Sequence, residues 1–511
     1  MSKRHIDFLS LVLPGWLLPV AALVVAEIAM RATGIRSDGL ALPSQIATAL
    51  LDLVADGEIF LRSAETVAPI AIGILIGGSL GLLIGVWLGL STRAAQLAWL
   101  SIELFRPIPP VAIIPLTMLI YGIGIRMEAA IIGFACFWPM LLLTRDAVAG
   151  VDVRLFEVAR MLGLSRRRQI VKIALPAAAP RIFTALRLTL GIALIVAVTT
   201  EIAANPFGVG YAIISAGPAP GRDVCLPGLA SPPRLAAQFR PDRLASTPVW
   251  RDVWGGGAMS NWLIRLGSVL VALSIFALWQ LVTHAGLVQP IFLPSPISTI
   301  ENLWRGLTQG DLLALTVTTM ERMFYGWMLA SLGGTLLGGI IGLSRRARYW
   351  LTPTLELLRP LPATTLLPIG IALFGLQPRM LLGVIAFGAI WPVLLPAIHG
   401  FSAIEPRLHE VARNLGVSRV AFAFKFGLPN ALPDVIAGMR LSLTACLIIT
   451  VVGEMVTAQE GLGTTIMMVA RSFRSTDLYG GIILLGLVGI VNNGLLAVIE
   501  RVATPWRTVQ T

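Results

Sequence analysis

The chain has 511 residues, of which 56% are hydrophobic and only 13% charged. A water-facing surface normally needs about a quarter of its residues charged, so this composition excludes a soluble enzyme or a free nucleic-acid binder and turns much of the surface toward lipid. The formal net charge of +12 does not indicate DNA, because the basic residues sit mostly in short loops beside apolar runs, as positive-inside topology requires.

About 20 apolar residues cross a hydrocarbon core of roughly 30 Å. The first such run is Phe8–Met30, behind Lys3 and Arg4. It is too long for a signal-peptide core and lacks a small-x-small cleavage site, so it reads as a retained helix. Further runs are Thr66–Leu90, Leu97–Tyr121, Ala129–Leu143 and Arg187–Ala204, then Ile264–Leu287, Met320–Leu343, Trp350–Phe374, Met380–Ile398, Arg440–Val456 and Gly480–Ile499. These make eleven expected crossings. Arg93, the cluster Arg345, Arg346 and Arg348, and the basic stretch Asp152–Arg181 all fall on the cytoplasmic side if Lys3 and Arg4 do. Cys136, Cys225 and Cys446 lie far apart and the four histidines are scattered, so neither a disulfide framework, a metal site nor any other cofactor site is indicated.

The sequence repeats with a period of 253 residues. Arg106-Pro107 returns as Arg359-Pro360, Trp138-Pro139 as Trp391-Pro392, Leu175-Pro176 as Leu428-Pro429, and Glu201 as Glu454; Gly208 and Gly210 return as Gly461 and Gly463. A register held this long makes the chain a fused duplicate. It divides into a first unit at 1–215 (core about 60–212), a Pro/Arg-rich stretch at 216–258, and a second unit at 259–511 (core about 315–500). In each unit one helix carries small residues every fourth position: Gly73, Gly77, Gly81, Gly85 and Gly89, then Gly326, Ala330, Gly334, Gly338 and Gly342. One small-residue face lets a neighbouring helix approach closely in lipid.

Two basic segments share Glu157-Val-Ala-Arg-Met-Leu-Gly163 with Leu175-Pro176 and Pro180, and Glu410-Val-Ala-Arg-Asn-Leu-Gly416 with Leu428-Pro429 and Pro433. This predicts a short helix with its glutamate near the start, a glycine turn, a second helix and a proline stop before the next crossing. A plain solvated loop would not need the same glycine and prolines twice.

The pattern resembles the EAA loop of permease subunits of bacterial ABC importers. With Glu103-Leu-Phe-Arg-Pro-Ile-Pro-Pro110 and Gly122-Ile-Gly124, it is most similar to the nitrate/sulfonate/taurine group. The resemblance spans about residues 60–212 and 315–500. It implies an all-α multi-pass protein of the bacterial inner membrane, built as a tandem parallel repeat of two five- or six-helix units. It also implies coupling helices docked on two cytoplasmic ATPase subunits through Glu157, Ala159, Gly163, Pro176, Glu410, Ala412, Gly416 and Pro429, with an extracytoplasmic solute-binding protein as a further partner. Val158 and Val411 stand where the family usually has alanine. No Gly-x-x-x-x-Gly-Lys-Ser/Thr phosphate loop occurs in the sequence, so ATP hydrolysis is expected of a separate subunit. The expected cargo is a small sulfonate-, taurine- or nitrate-like anion.

Intramembrane polar groups are functional candidates. Glu201, Glu454 and Asn205 are candidates for the translocation pathway. The two glutamates are expected near the hydrated outer interface, and Asn205, Asn492 and Asn493 are also suited to interhelical hydrogen bonds. Pro115, Pro139, Pro368 and Pro392 are expected to kink helices. Arg106 and Arg359 suit snorkelling or an anion. Glu27 is expected at the end of the first helix.

Parallel units need an even number of crossings in the first, where five are visible. Residues 216–258 stand where the sixth would be, yet hold seven prolines and five arginines in 43 positions. A linker cannot repair that parity. A shifted reading frame ending near Met259 can, with two adjacent permease genes as the ancestral state. The competing class is an ion-coupled secondary transporter, which needs charges deep in helices and no matched loops. A membrane enzyme needs a nucleophile, metal or acid–base constellation, and none is visible.

Overall fold

The computed structural model describes residues 2–33, 41–215 and 261–503, and the regular structure of these residues is helical. The first half runs α1 (Ser2–Thr33), α2 (Pro43–Ala55), α3 (Glu58–Leu90), α4 (Thr92–Phe105), α5 (Pro110–Tyr121), α6 (Ile125–Ala149), α7 (Val153–Met161), α8 (Arg166–Ala203) and α9 (Gly208–Ser215). The second runs α10 (Asn261–His284), α11 (Pro296–Thr308), α12 (Leu312–Leu343), α13 (Arg345–Leu358), α14 (Ala363–Phe374), α15 (Pro378–Ser402), α16 (Pro406–Asn414), α17 (Arg419–Thr457), α18 (Leu462–Arg471) and α19 (Ser475–Ala503). Moving the first half on by 253 residues lays α2, α4, α5, α6 and α7 onto α11, α13, α14, α15 and α16 with both ends in register. The same shift places the equivalent of α19 at 222–250. The stretch 216–258, and with it the parity and reading-frame expectations, lies outside the described residues.

Among the described residues eight helices are long and apolar enough to cross a membrane, and up to ten if each of two bent pairs is one span. The bent pairs fall in two of the expected crossings, Leu97–Tyr121 and Trp350–Phe374: α4 meets α5 at 72° and α13 meets α14 at 83°. The cause is local. Arg106-Pro107-Ile108-Pro109 and Arg359-Pro360-Leu361-Pro362 put two prolines within three residues, which removes backbone donors and forces extended backbone. Pro109 and Pro362 sit at ψ 128° and 126°. Pro139 and Pro392, by contrast, lie inside the unbroken α6 and α15, while Pro115 and Pro368 sit in the first α-helical turn of α5 and α14, just after the 3-10 turns Pro110–Ile113 and Ala363–Leu366, where proline costs little.

The small-residue faces set the closest contacts. A Cβ at Gly77 would stand 2.0 Å from the Gly133 carbonyl oxygen, one at Gly81 2.5 Å from that of Phe137, and one at Gly85 2.6 Å from that of Leu141. Gly73 abuts the Ile132 side chain, so the whole stripe lays α3 on α6. Gly334 and Gly338 lay α12 on α15 in the same way, against Val393 and Ala397. The outward faces of α3 and α12 expose Leu75, Leu83, Leu336 and Ile340, an apolar surface suited to lipid. The first helices exchange between halves: α1 packs on α13, and α10 on α4. At the centre α5 packs on α17 and α14 on α8. There the buried hydroxyls of Thr199 and Thr364 join the halves at 3.1 Å.

Candidate functional site

Each half presents a short knob between two long helices. Asp152 caps α7, its carboxylate accepting the Arg154 amide at 2.9 Å. Glu157 is therefore not at the helix start, as expected, but mid-helix and exposed; the dipole is complemented by Asp152 instead. The end of α7 is a Schellman motif. The Gly163 amide donates to the Arg160 carbonyl and the Leu164 amide to that of Ala159, both at 3.0 Å. Gly163 supplies the left-handed backbone this closure needs, at φ +63°. The second half repeats it, with Gly416 at φ +67°, Gly416 bonded to Arg413 at 3.1 Å and Val417 to Ala412 at 2.9 Å.

Ala159 and Ala412 are buried in these turns, and Phe156 anchors the first knob in a cluster with Val148, Val151 and Ala178. Ala412 packs with Ile404 and Phe422 in the second. Outward, the knobs expose Val158, Met161 and Leu162, and Leu408, Val411 and Leu415, beside Glu157 and Glu410. Arg166, Arg167 and Arg168 flank the first knob, where the second carries Arg419 followed by Val420 and Ala421.

The expected proline stop is not there. The helix entered after Gly163 continues from Arg166 through Pro176 and Pro180 to Ala203. A π-turn at Ile170–Ala174, repeated at Ala423–Gly427, absorbs the amide missing at Pro176 and Pro429. The spanning helix behind each knob is thus one continuous rod.

The far end of that rod holds the paired glutamates. Glu201 lies 26 residues beyond Leu175 on the helix, about 39 Å at 1.5 Å per residue. Glu201 and Glu454 are buried, at 1% and 0% exposure, so hydration does not carry them as expected. Backbone amides do: the Gly210 amide donates to Glu201 at 2.6 Å and the Gly463 amide to Glu454 at 2.9 Å, at the starts of α9 and α18, where a carboxylate is favoured. Thr66 and Thr319, not singled out from the sequence, accept the Val209 and Leu462 amides at 2.9 Å each. Their one sequence signal was the shared 253-residue register. A Cβ at Gly208 would lie 2.2 Å from Glu201 Oε1, and one at Gly461 2.3 Å from Glu454 Cδ.

The halves balance the buried charge differently. Glu454 pairs with Arg322 at 2.5 Å and accepts from Thr319 at 3.1 Å. Glu201 instead lies against Glu128, whose other oxygen accepts from Asn205 Nδ2 at 2.7 Å. Asn205, in the loop after α8, thus bonds to α6, whereas Asn492 makes an interhelical bond, to Met323 Sδ at 3.5 Å. Arg106 pairs with Glu103 at 3.3 Å. Glu27 lies within α1, bonded to Arg31 and to the Ser44 amide at 3.0 Å.

Comparison with known proteins places this architecture. The family described as binding-protein-dependent transport system inner membrane component matches twice, at residues 77–218 and 334–507. A putative aliphatic sulfonates transport permease protein, SsuC of Bacillus subtilis (strain 168), is 31% identical over 240 residues, covering 47% of this chain and 87% of that protein. The taurine transport system permease protein TauC of Escherichia coli (strain K12) is 28% identical over 249 residues, 48% of this chain and 89% of its own. The nitrate import permease protein NrtB of Synechococcus elongatus is 28% identical over 250 residues, 46% and 89%. Each relative corresponds to about half of this chain, which carries two such units in tandem: the chain belongs to the family of binding-protein-dependent transport system inner membrane components.

Proposed function

We propose that this chain is the membrane-spanning permease of an ATP-driven importer in a bacterial inner membrane. In this reading the knobs at α7 and α16 dock into two copies of a cytoplasmic ATPase subunit. An extracytoplasmic binding protein delivers a small anion of the sulfonate, taurine or nitrate kind, the cargoes named for the relatives. The observation that carries it is the pair of knobs: two identically closed turns, each with a buried alanine, an exposed apolar face and an exposed glutamate. A rod unbroken from the turn behind each knob to the buried glutamate gives closure of the ATPase dimer a lever on the seam between the halves, where alternating access would open. The test is the double charge reversal E157K/E410K. It is expected to abolish ATPase copurification and ATP-dependent uptake while leaving the protein at normal levels in membranes. Retained association and uptake would overturn the assignment.

A further inference from the structure

The carboxyl site of the first half lacks the cation that balances its counterpart. The repeat aligns Arg322 with Pro69 and Leu381 with Glu128, so the first half lacks a guanidinium and carries a second carboxyl. Glu128 and Glu201 are each 1% exposed and within hydrogen-bonding reach of one another. One oxygen of each is satisfied, by Asn205 Nδ2 and by the Gly210 amide. The others, Glu128 Oε1 and Glu201 Oε1, together with Asn205 Oδ1, are buried without a hydrogen-bond partner, and the Thr66 hydroxyl beside Glu201 donates to the Arg62 carbonyl at 3.2 Å. The charged groups facing the pair come from α3: Glu65, which accepts the Gly208 amide at 2.9 Å, and Arg62, engaged by Glu58 at 3.5 Å and Glu65 at 3.2 Å. The neighbouring residues of α9 contribute backbone amides. Among the described residues no basic side chain lies within 4.0 Å of Glu128 or Glu201.

Two buried carboxylates in contact and without a cation repel one another and forfeit hydration, and buried acceptors without a donor need a hydrogen. Three protein oxygens are also too few for Ca²⁺ or Mg²⁺, which take about six or more ligands. We propose that Glu128 and Glu201 form a proton-binding site, one carboxyl carrying the hydrogen and the other accepting it, so that a proton does in the first half what Arg322 does in the second. The bound proton holds α6 and α8 together beneath the start of α9, at the end of α8 remote from the knob.

Infrared spectroscopy of the full-length protein in lipid nanodiscs tests this. At neutral pH the wild type should show the carbonyl band of a protonated carboxyl, lost in E128Q and in E201Q alike. E128Q, whose amide donates in the proton's place, should unfold within about 2 °C of wild type. Absence of the wild-type band overturns the proposal even if neither variant folds. So does a band that survives both substitutions, or a wild-type midpoint that rises with sodium but not with choline at equal ionic strength, which would give the site to a metal cation.

Discussion

Gly77 and Gly383 are both helical glycines, and they should respond oppositely to one added methyl. At Gly77 the new Cβ would meet the Gly133 backbone oxygen at 2.0 Å, which no rotamer change relieves; at Gly383 nothing lies within 4 Å. Gly77→Ala is therefore expected to cost about 1–3 kcal/mol by forcing α3 and α6 apart. Gly383→Ala should leave stability unchanged or raise it by about 0.5–1 kcal/mol through the restricted unfolded backbone. Unfolding midpoints in one detergent check both; equal losses would show that backbone approach is not what the stripe secures. The ion pair at Glu454 gives a second test at this scale. Removing Arg322 leaves a carboxylate at 0% exposure beside a threonine and one amide. Arg322→Met is thus expected to destabilise by about 3–5 kcal/mol, with part of the loss recovered in the double variant R322M/E454Q. No recovery would place the effect in lost arginine packing rather than in the stranded charge.

At the scale of elements, the knobs depend on two backbone devices whose effects separate. Gly163 has open space around its missing Cβ but sits at φ +63°, so Gly163→Ala acts by conformation alone, at about 1–2 kcal/mol for a left-handed residue. It should weaken ATPase copurification while the global unfolding midpoint barely moves, because the turn lies outside the main core. A fall in midpoint with copurification intact would contradict this. Much of this level was legible in the sequence: the 253-residue register fixed which segments pair, and the glycine of each turn stood out by recurring. Direction was not legible. Hydropathy gives Leu97–Tyr121 one apolar run, yet the spaced prolines at 107 and 109 turn it by 72°. Pro176 reads as a stop, but the π-turn before it lets the helix pass. Glu201 and Glu454 read as interfacial because their amide partners belong to helices that only the tertiary fold brings back over them.

For the molecule as a whole, the exchange of first helices makes each half incomplete without the other. α10 packs on α4, where a Cβ at Gly267 would lie 2.5 Å from Leu97 Cδ2. The variant L97C/G267C should therefore form a disulfide within one chain under mild oxidation, because adjacent side chains bring the two sulfurs into range. Residues 259–511 alone would expose the face of α13 that α1 covers in the full chain, while α10 would lose α4. The repeat aligns Trp350 with Leu97, so a second copy supplies what is missing, and the isologous solution is a twofold dimer in which each α10 lies on the partner's α13. Expressed by itself, the second half carrying W350C and G267C should run as a covalently linked dimer after oxidation and as a non-covalent dimer before it. A stable monomer would mean that α10 folds back on its own half, and that the exchange seen here depends on the tandem arrangement rather than on the surfaces the two halves share.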